Sequence, residues 1–208
     1  MKQIAKGICL TAVLALSAMA QESRFTFGVG GGFTEPRGSV GSRVDRGWNV
    51  TGNAGVNFNK WVGGVVDVGY NRFGMNSTTT QTFGVPDGNV GIFSATLNPI
   101  VHLSPGRYAD VYLIGGGGVY HTRQQFTAPS SAVVPVFDPF FGFYNAVVPA
   151  TQVLSSSSLT KPGINGGIGF AVGTKWKAKV FAEARYHRIF RGNDRYLDYI
   201  PVSFGLRW

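Results

Sequence analysis

His102, His121 and His187 are the residues of this 208-residue chain best suited to proton transfer near neutral pH. Nucleophilic catalysis would need a hydroxyl and a carboxylate within reach of one of them. None has such partners at strand spacing, and His187 is followed by Arg188-Ile189, with no serine two residues on. Scattered in this way, the three histidines read as ordinary polar residues. No catalytic, metal or cofactor site is expected. The single cysteine, Cys9, lies within the first 20 residues, so the chain beyond them has neither disulfides nor thiol chemistry.

Charged residues offer two other kinds of chemistry. Asp67, Glu183, Arg185 and Arg207 share strand faces with asparagines and small residues. Such charges must pair if they are buried, because an isolated buried charge costs several kcal/mol (about 3–5). Arg24 is a further candidate partner. The set reads either as a structural brace or as the lining of a gated ion path. Arg188, Arg191 and Arg195 form a second group, and Arg37, Arg43 and Arg46 a third. Guanidinium groups grip phosphate bidentately, so Arg188, Arg191 and Arg195 are candidate contacts to lipid phosphate. The formal net charge is +9 and the pI about 9.9. The basic residues are dispersed and not interleaved with aromatics along one groove, which argues against nucleic acid as a partner.

Alternation of apolar and polar residues defines the elements that position these groups. Eight segments show it: Arg24–Thr34, Gly47–Phe58, Trp61–Phe73, Val90–Leu103, Asp110–Thr122, Gly163–Thr174, Ala178–Phe190 and Tyr199–Trp208. Phe25, Val29 and Phe33 share a face in the first strand. Trp48, Val50 and Val56 do so in the second, opposite Asn49, Thr51 and Asn53. In the seventh, Val180, Ala182, Ala184 and Tyr186 oppose Phe181, Glu183, Arg185 and His187. The fifth contains Gly115–Gly118 and its facing stays open. Connections alternate between short turns, such as Asn59-Lys60, and longer loops over 35–46, 74–89, 123–162 and 191–198. That asymmetry is the pattern of an up-and-down transmembrane barrel. A soluble barrel with its apolar face inward is the competing arrangement. The charges on the small-residue face argue against it. So do the aromatics at strand ends: Phe58, Trp61, Trp176 and Trp208 at one rim, and Phe33, Trp48, Phe73, Phe190 and Tyr199 at the other.

Both ends of the chain suit export. Lys2 and Lys6 precede an apolar run, Ile8–Leu16, and Ala18-Met19-Ala20 supplies small residues for cleavage. Residues 1–20 are therefore expected to be a signal peptide and 21–208 the barrel domain. Removing Lys2 and Lys6 lowers the net charge from +9 to +7. At the other end, Phe204, Leu206 and Trp208 alternate with Ser203, Gly205 and Arg207, and the last residue is aromatic.

With these features, above all Phe181-Ala-Glu-Ala-Arg-Tyr-His187 and the terminal Tyr199-Ile-Pro-Val-Ser-Phe-Gly-Leu-Arg-Trp208, the chain resembles the small outer-membrane β-barrel family. That family includes the OmpA transmembrane domain, OmpX and the opacity-type porins. The resemblance spans nearly all of residues 22–208. It implies an all-β, antiparallel barrel of eight strands, or ten if the third loop adds a pair, in the bacterial outer membrane. It also implies that Phe204, Leu206 and Trp208 signal to the barrel assembly machinery. Some relatives hydrolyse lipid A with a His–Ser–Glu arrangement, which these histidines do not match. The role it leaves is structural or interactive at the surface, with a small passive porin-like channel as the alternative. The expected partners are outer-membrane lipids, including lipopolysaccharide if the organism makes it, and an extracellular partner met by loop 123–162. In that loop Ala132-Val-Val-Pro135 and Ala146-Val-Val-Pro149 flank a Pro/Gly turn, the makings of a projecting hairpin or a plug. A monomer is the expected state.

Overall fold

A computed structural model describes residues 24–38, 41–83, 87–106, 108–174, 178–192 and 195–208. The expected signal peptide and Trp176 lie outside the described residues. Eight antiparallel strands form a closed barrel in sequence order. They are β1 (Phe25–Arg37), β2 (Gly47–Asn57), β3 (Val62–Gly74), β4 (Asp87–His102), β5 (Ala109–Asp138), β6 (Gly142–Gly173), β7 (Lys179–Gly192) and β8 (Arg195–Arg207). A short helix, α1 (Ser77–Phe83), sits between β3 and β4. No helix among the described residues is long and apolar enough to cross a membrane, which says nothing of strands.

The closing seam joins β1 to β8 from Gly28↔Arg207 to Arg37↔Asp198. It is completed at the chain end, where Trp208 N–H donates to the Phe27 carbonyl at 2.8 Å and Phe27 N–H donates back at 3.1 Å. Closure leaves this part of the sheet no free edge, which is how a β structure satisfies its backbone in lipid.

The period-two pattern sorts as expected. Val29, Phe33, Trp48, Val50, Val66, Val68, Phe93, Leu97, Ile164, Ile168, Phe170, Val180 and Phe204 lie on the outside, exposed. Asn49, Asp67, Asn71, Ser94, Thr96, Asn98, Asn165, Glu183, Arg185, His187, Ser203 and Arg207 lie inside, buried. The barrel is thus apolar outside and polar within. The facing of β5 is now fixed: Tyr112, Ile114, Tyr120 and Thr122 point inward, while Leu113 and Val119 point out.

Four expectations need correction. The connection over 123–162 is no loop but the hairpin that its two Ala-Val-Val-Pro arms suggest, continuous with the barrel: β5 and β6 stay paired from Ala109↔Val172 to Asp138↔Gly142. This ribbon extends two existing strands, so the count is eight and not ten. β8 begins at Arg195, which shrinks the last loop. Phe73 and Tyr199 are buried inside the barrel and do not join the outer aromatic girdle. Counting by twos from outward Tyr70 already sends Phe73 inward, as Ile200 does Tyr199.

β4 accompanies β5 only as far as Asp87↔Thr127, and β7 accompanies β6 only from Gly163↔Ile189. Beyond those points β5 and β6 continue alone. A register shift at Phe126/Thr127 leaves Leu154 as an extra residue on β6 and marks the start of the two-stranded ribbon. From Ala128 to the turn at 139–141 the ribbon reaches roughly 35 Å, at about 3.3 Å per residue. Gly142, at φ 76°, closes the turn with a backbone that L side chains rarely adopt.

Candidate functional site

The lumen is filled in layers. One apolar cluster, including Phe73, Val90, Ile92, Tyr120, Ile189, Leu197 and Tyr199, lies toward the long-loop end. A second, with Val65, Ile100, Tyr112, Ile114, Ala171 and Phe181, lies toward the short-turn end. The expected charges form a network in the interior. Arg185 on β7 reaches across to Asp67 on β3 with two N–H donors, each 3.0 Å from a carboxylate oxygen. Its Nε donates to Glu183 Oε1 at 2.5 Å. Glu183 Oε2 accepts from the Tyr112 hydroxyl at 2.9 Å and stands 3.7 Å from Arg207. Arg207 donates to the same Tyr112 oxygen at 3.1 Å and lies over the rings of Tyr112 and Phe181.

Amides continue the network. Asn98 Nδ2 donates to Asp67 at 2.6 Å, and Asn165 Nδ2 donates to Asn98 Oδ1 at 2.8 Å. All four expected lumen charges are therefore joined. Tyr112 and Asn98 are additional members. Tyr112 was hidden in the sequence by the unresolved facing of β5. Arg24 is not a member: it lies at the short-turn mouth with Lys60, His102, Asp110 and Lys179.

Glycines make the room. A Cβ on Gly167 would stand 2.7 Å from the Arg185 Cα, and one on Gly169 would stand 2.2 Å from the Tyr112 ring. A strand glycine costs about 0.5–1 kcal/mol relative to alanine, so these positions give up strand stability for space. What is left beside the network is a cavity of about 30 Å³, lined among others by Asp67, Thr96, Glu183 and Arg185. That is the volume of about one water molecule.

The histidines remain apart. His102 Nδ1 lies 2.7 Å from Asp110, His121 Nδ1 lies 2.8 Å from Thr160, and His187 Nδ1 lies 3.0 Å from the Tyr120 hydroxyl. His187 also stacks on Tyr199, with ring centroids 4.9 Å apart. These are separate pairs at different levels of the barrel, not one triad.

The arginines expected to meet lipid phosphate divide into two. Arg188 is on the outer face, where both its Nε and Nη2 hold Asp198 at 2.9 Å and its guanidinium lies over Tyr186 and Tyr196. Its charge is already matched. Arg191 and Arg195 instead line a crevice of about 580 Å³ at the long-loop mouth, with Lys161, Gln124, Thr122, Ser157 and Ser158. Lys161 escaped the sequence reading, although extending the pairing Gly163↔Ile189 by two residues would have set it opposite Arg191.

A family model described as the outer membrane protein beta-barrel domain matches residues 7–208. Among solved structures, Neisserial surface protein A (NspA) superposes with a TM-score of 0.56 at 17% identity, covering 88% of this chain and 95% of that one. Ail, the attachment invasion locus protein of Yersinia pestis, in complex with the heparin analogue sucrose octasulfate, gives 0.51 at 16% identity, covering 89% and 99%. At these identities the likeness is one of fold. No curated protein matches the chain.

Proposed function

Since the chain belongs to the outer-membrane protein β-barrel family and its place is the bacterial outer membrane, we propose that it acts at the cell surface through the β5–β6 ribbon and the basic mouth beside it. The single observation that carries this reading is the ribbon, which continues as a paired structure far beyond the strands needed to close the barrel. The barrel serves as its mount. Elements that project from a rigid scaffold are where binding concentrates in proteins of this build.

The crevice of Lys161, Arg191 and Arg195 suits a multiply charged phosphate or sulfate, since cations and hydroxyls line it together. Outer-leaflet lipid phosphate, as in lipopolysaccharide, is the source within reach of a membrane-embedded rim. A sulfated glycan offers the same chemistry, and Ail was crystallised with a sulfated ligand of that kind. Phe204, Leu206 and Trp208 at the seam serve in assembly, with Phe204 and Leu206 presented on the outer face. Catalysis is no part of this reading. The porin-like alternative is opposed by the charge network that crosses the lumen, beside which the cavity is about 30 Å³.

The test is removal of residues 128–152, replaced by a two-residue Asn-Gly turn at the Thr127↔Val153 pair. Cells carrying the shortened protein should keep a folded, heat-modifiable barrel but lose surface attachment. Attachment that survives the deletion undiminished would refute the reading.

A further inference from the structure

Beyond the rim, the ribbon is almost without charge. From Gln124 to Thr160 the only ionisable side chain among Asp, Glu, Lys and Arg is Asp138, at the turn. Edge strands of soluble proteins usually carry lysine or other charges that discourage association. At the tip the composition becomes aromatic. Phe140 is 91% exposed, Phe141 86%, Phe143 78% and Phe137 61%, with Tyr144 half-exposed behind them. Phe137 and Phe143 face each other across the ladder with ring centroids 5.1 Å apart, Phe140 and Phe141 lie in the turn between them, and Tyr144, paired with Val136, lies on the ribbon's other face.

A surface built for a protein partner normally surrounds its aromatics with a polar rim and uses arginine. No cation is available here. Edge-to-edge pairing with another strand, including one from a second copy, is opposed by Pro129, Pro135 and Pro149, which remove backbone donors along both arms. An uncharged phase that accepts aromatic rings at its boundary is the headgroup–acyl interface of a bilayer. Full insertion is excluded, because the open edges would lose their water. Shallow insertion is not. The cross-strand ladder continues to Asp138↔Gly142, so the tip enters with its inward backbone groups already paired.

Resting on the surface-interaction reading, we propose that the tip, through Phe137, Phe140, Phe141, Phe143 and Tyr144, anchors by shallow insertion in an apposed lipid bilayer. The ribbon holds the tip away from the protein's own membrane, and selection is by apolar contact, not by charge.

The full chain refolded into phosphatidylcholine nanodiscs would be mixed with fluorescent vesicles of pure phosphatidylcholine, and vesicle recruitment measured by co-sedimentation. Recruitment is expected and should persist at about 1 M salt, where exposed charge interactions are screened beyond roughly 3 Å. The variant Phe140→Ser/Phe141→Ser/Phe143→Ser should bind vesicles about tenfold less, or weaker still, because three apolar rings are lost. Its heat-dependent gel mobility should match wild type. No recruitment, recruitment abolished by salt, or equal recruitment by the variant would overturn the proposal. Loss of cell attachment on deleting 128–152 without any vesicle recruitment would overturn the lipid assignment alone and leave the surface reading standing.

Discussion

Replacing Arg185 with Met removes the one side chain that joins Asp67 to Glu183. Three short hydrogen bonds disappear with it, two to Asp67 and one to Glu183. Asp67 then keeps only the Asn98 amide among its described partners in this network, at 2.6 Å. Glu183 keeps the Tyr112 hydroxyl at 2.9 Å and a more distant Arg207 at 3.7 Å. Both carboxylates stay buried between two apolar clusters, so neither can recover its loss from bulk water. Breaking a buried pair by removing one partner costs about 3–5 kcal/mol, and the residual partners here point to the lower half of that range. The milder Glu183→Gln keeps the shape and should cost about 1–3 kcal/mol. The triple variant Arg185→Met/Asp67→Asn/Glu183→Gln removes three of the four charges, leaves Arg207 on the Tyr112 hydroxyl and rings, and should recover part of the loss, since an intact buried network is itself expensive to desolvate. Urea unfolding in lipid vesicles, read by gel mobility and tryptophan emission, measures all three. A change below about 1 kcal/mol for Arg185→Met, or a triple variant no more stable than the single one, would refute the claim that the network braces the barrel.

Refolded protein in a planar bilayer should give no uniform conductance steps, because Arg185 ties β7 to β3 across the lumen and the cavity beside that tie holds about one water; repeated steps of one amplitude would revive the channel reading. Gly169→Ala should destabilise by about 1–3 kcal/mol, since its new methyl meets a Tyr112 ring that Glu183 and Arg207 hold in place; an unchanged urea midpoint would show that the ring can move aside. Replacing Lys161, Arg191 and Arg195 together by alanine should reduce co-purifying lipid phosphate, whereas Arg188→Ala should not, because Asp198 already matches that charge. Equal phosphate in both proteins would remove the crevice from the proposal.

Much of this architecture was legible in the sequence because lipid and a narrow lumen impose opposite demands on alternate residues. Val66 and Asp67 cannot exchange places, and the same holds for Ala182 and Glu183. Legibility failed where one of those demands lapsed. Gly115–Gly118 has no side chains to sort, so β5 gave no facing and Tyr112 went unnoticed as the partner of Glu183. Past Gly163 strand β6 has lost β7 as a neighbour, and nothing there enforces alternation; Ser155–Ser158 therefore reads as a loop although it pairs with Phe126–Arg123. The lumen charges were visible as a set, but who holds whom depended on cross-barrel distances that no local pattern encodes. The basic mouth was half visible: Arg191 and Arg195 stand close in sequence, while Lys161 reaches them only through strand pairing.

The cross-lumen tie also bears on time. Asp67 and Arg185 are 118 residues apart in sequence and sit on β3 and β7, which are not neighbours in the sheet. Their hydrogen bonds can form only after the strands between them have paired and the cylinder has curled enough to bring opposite walls together. An interaction completed that late contributes little to the barrier against folding, and its loss appears mainly as faster unfolding. The brace is then a kinetic lock. Residence time in the folded state is then the quantity this arginine should set, and Arg185→Met should unfold faster at a nearly unchanged folding rate.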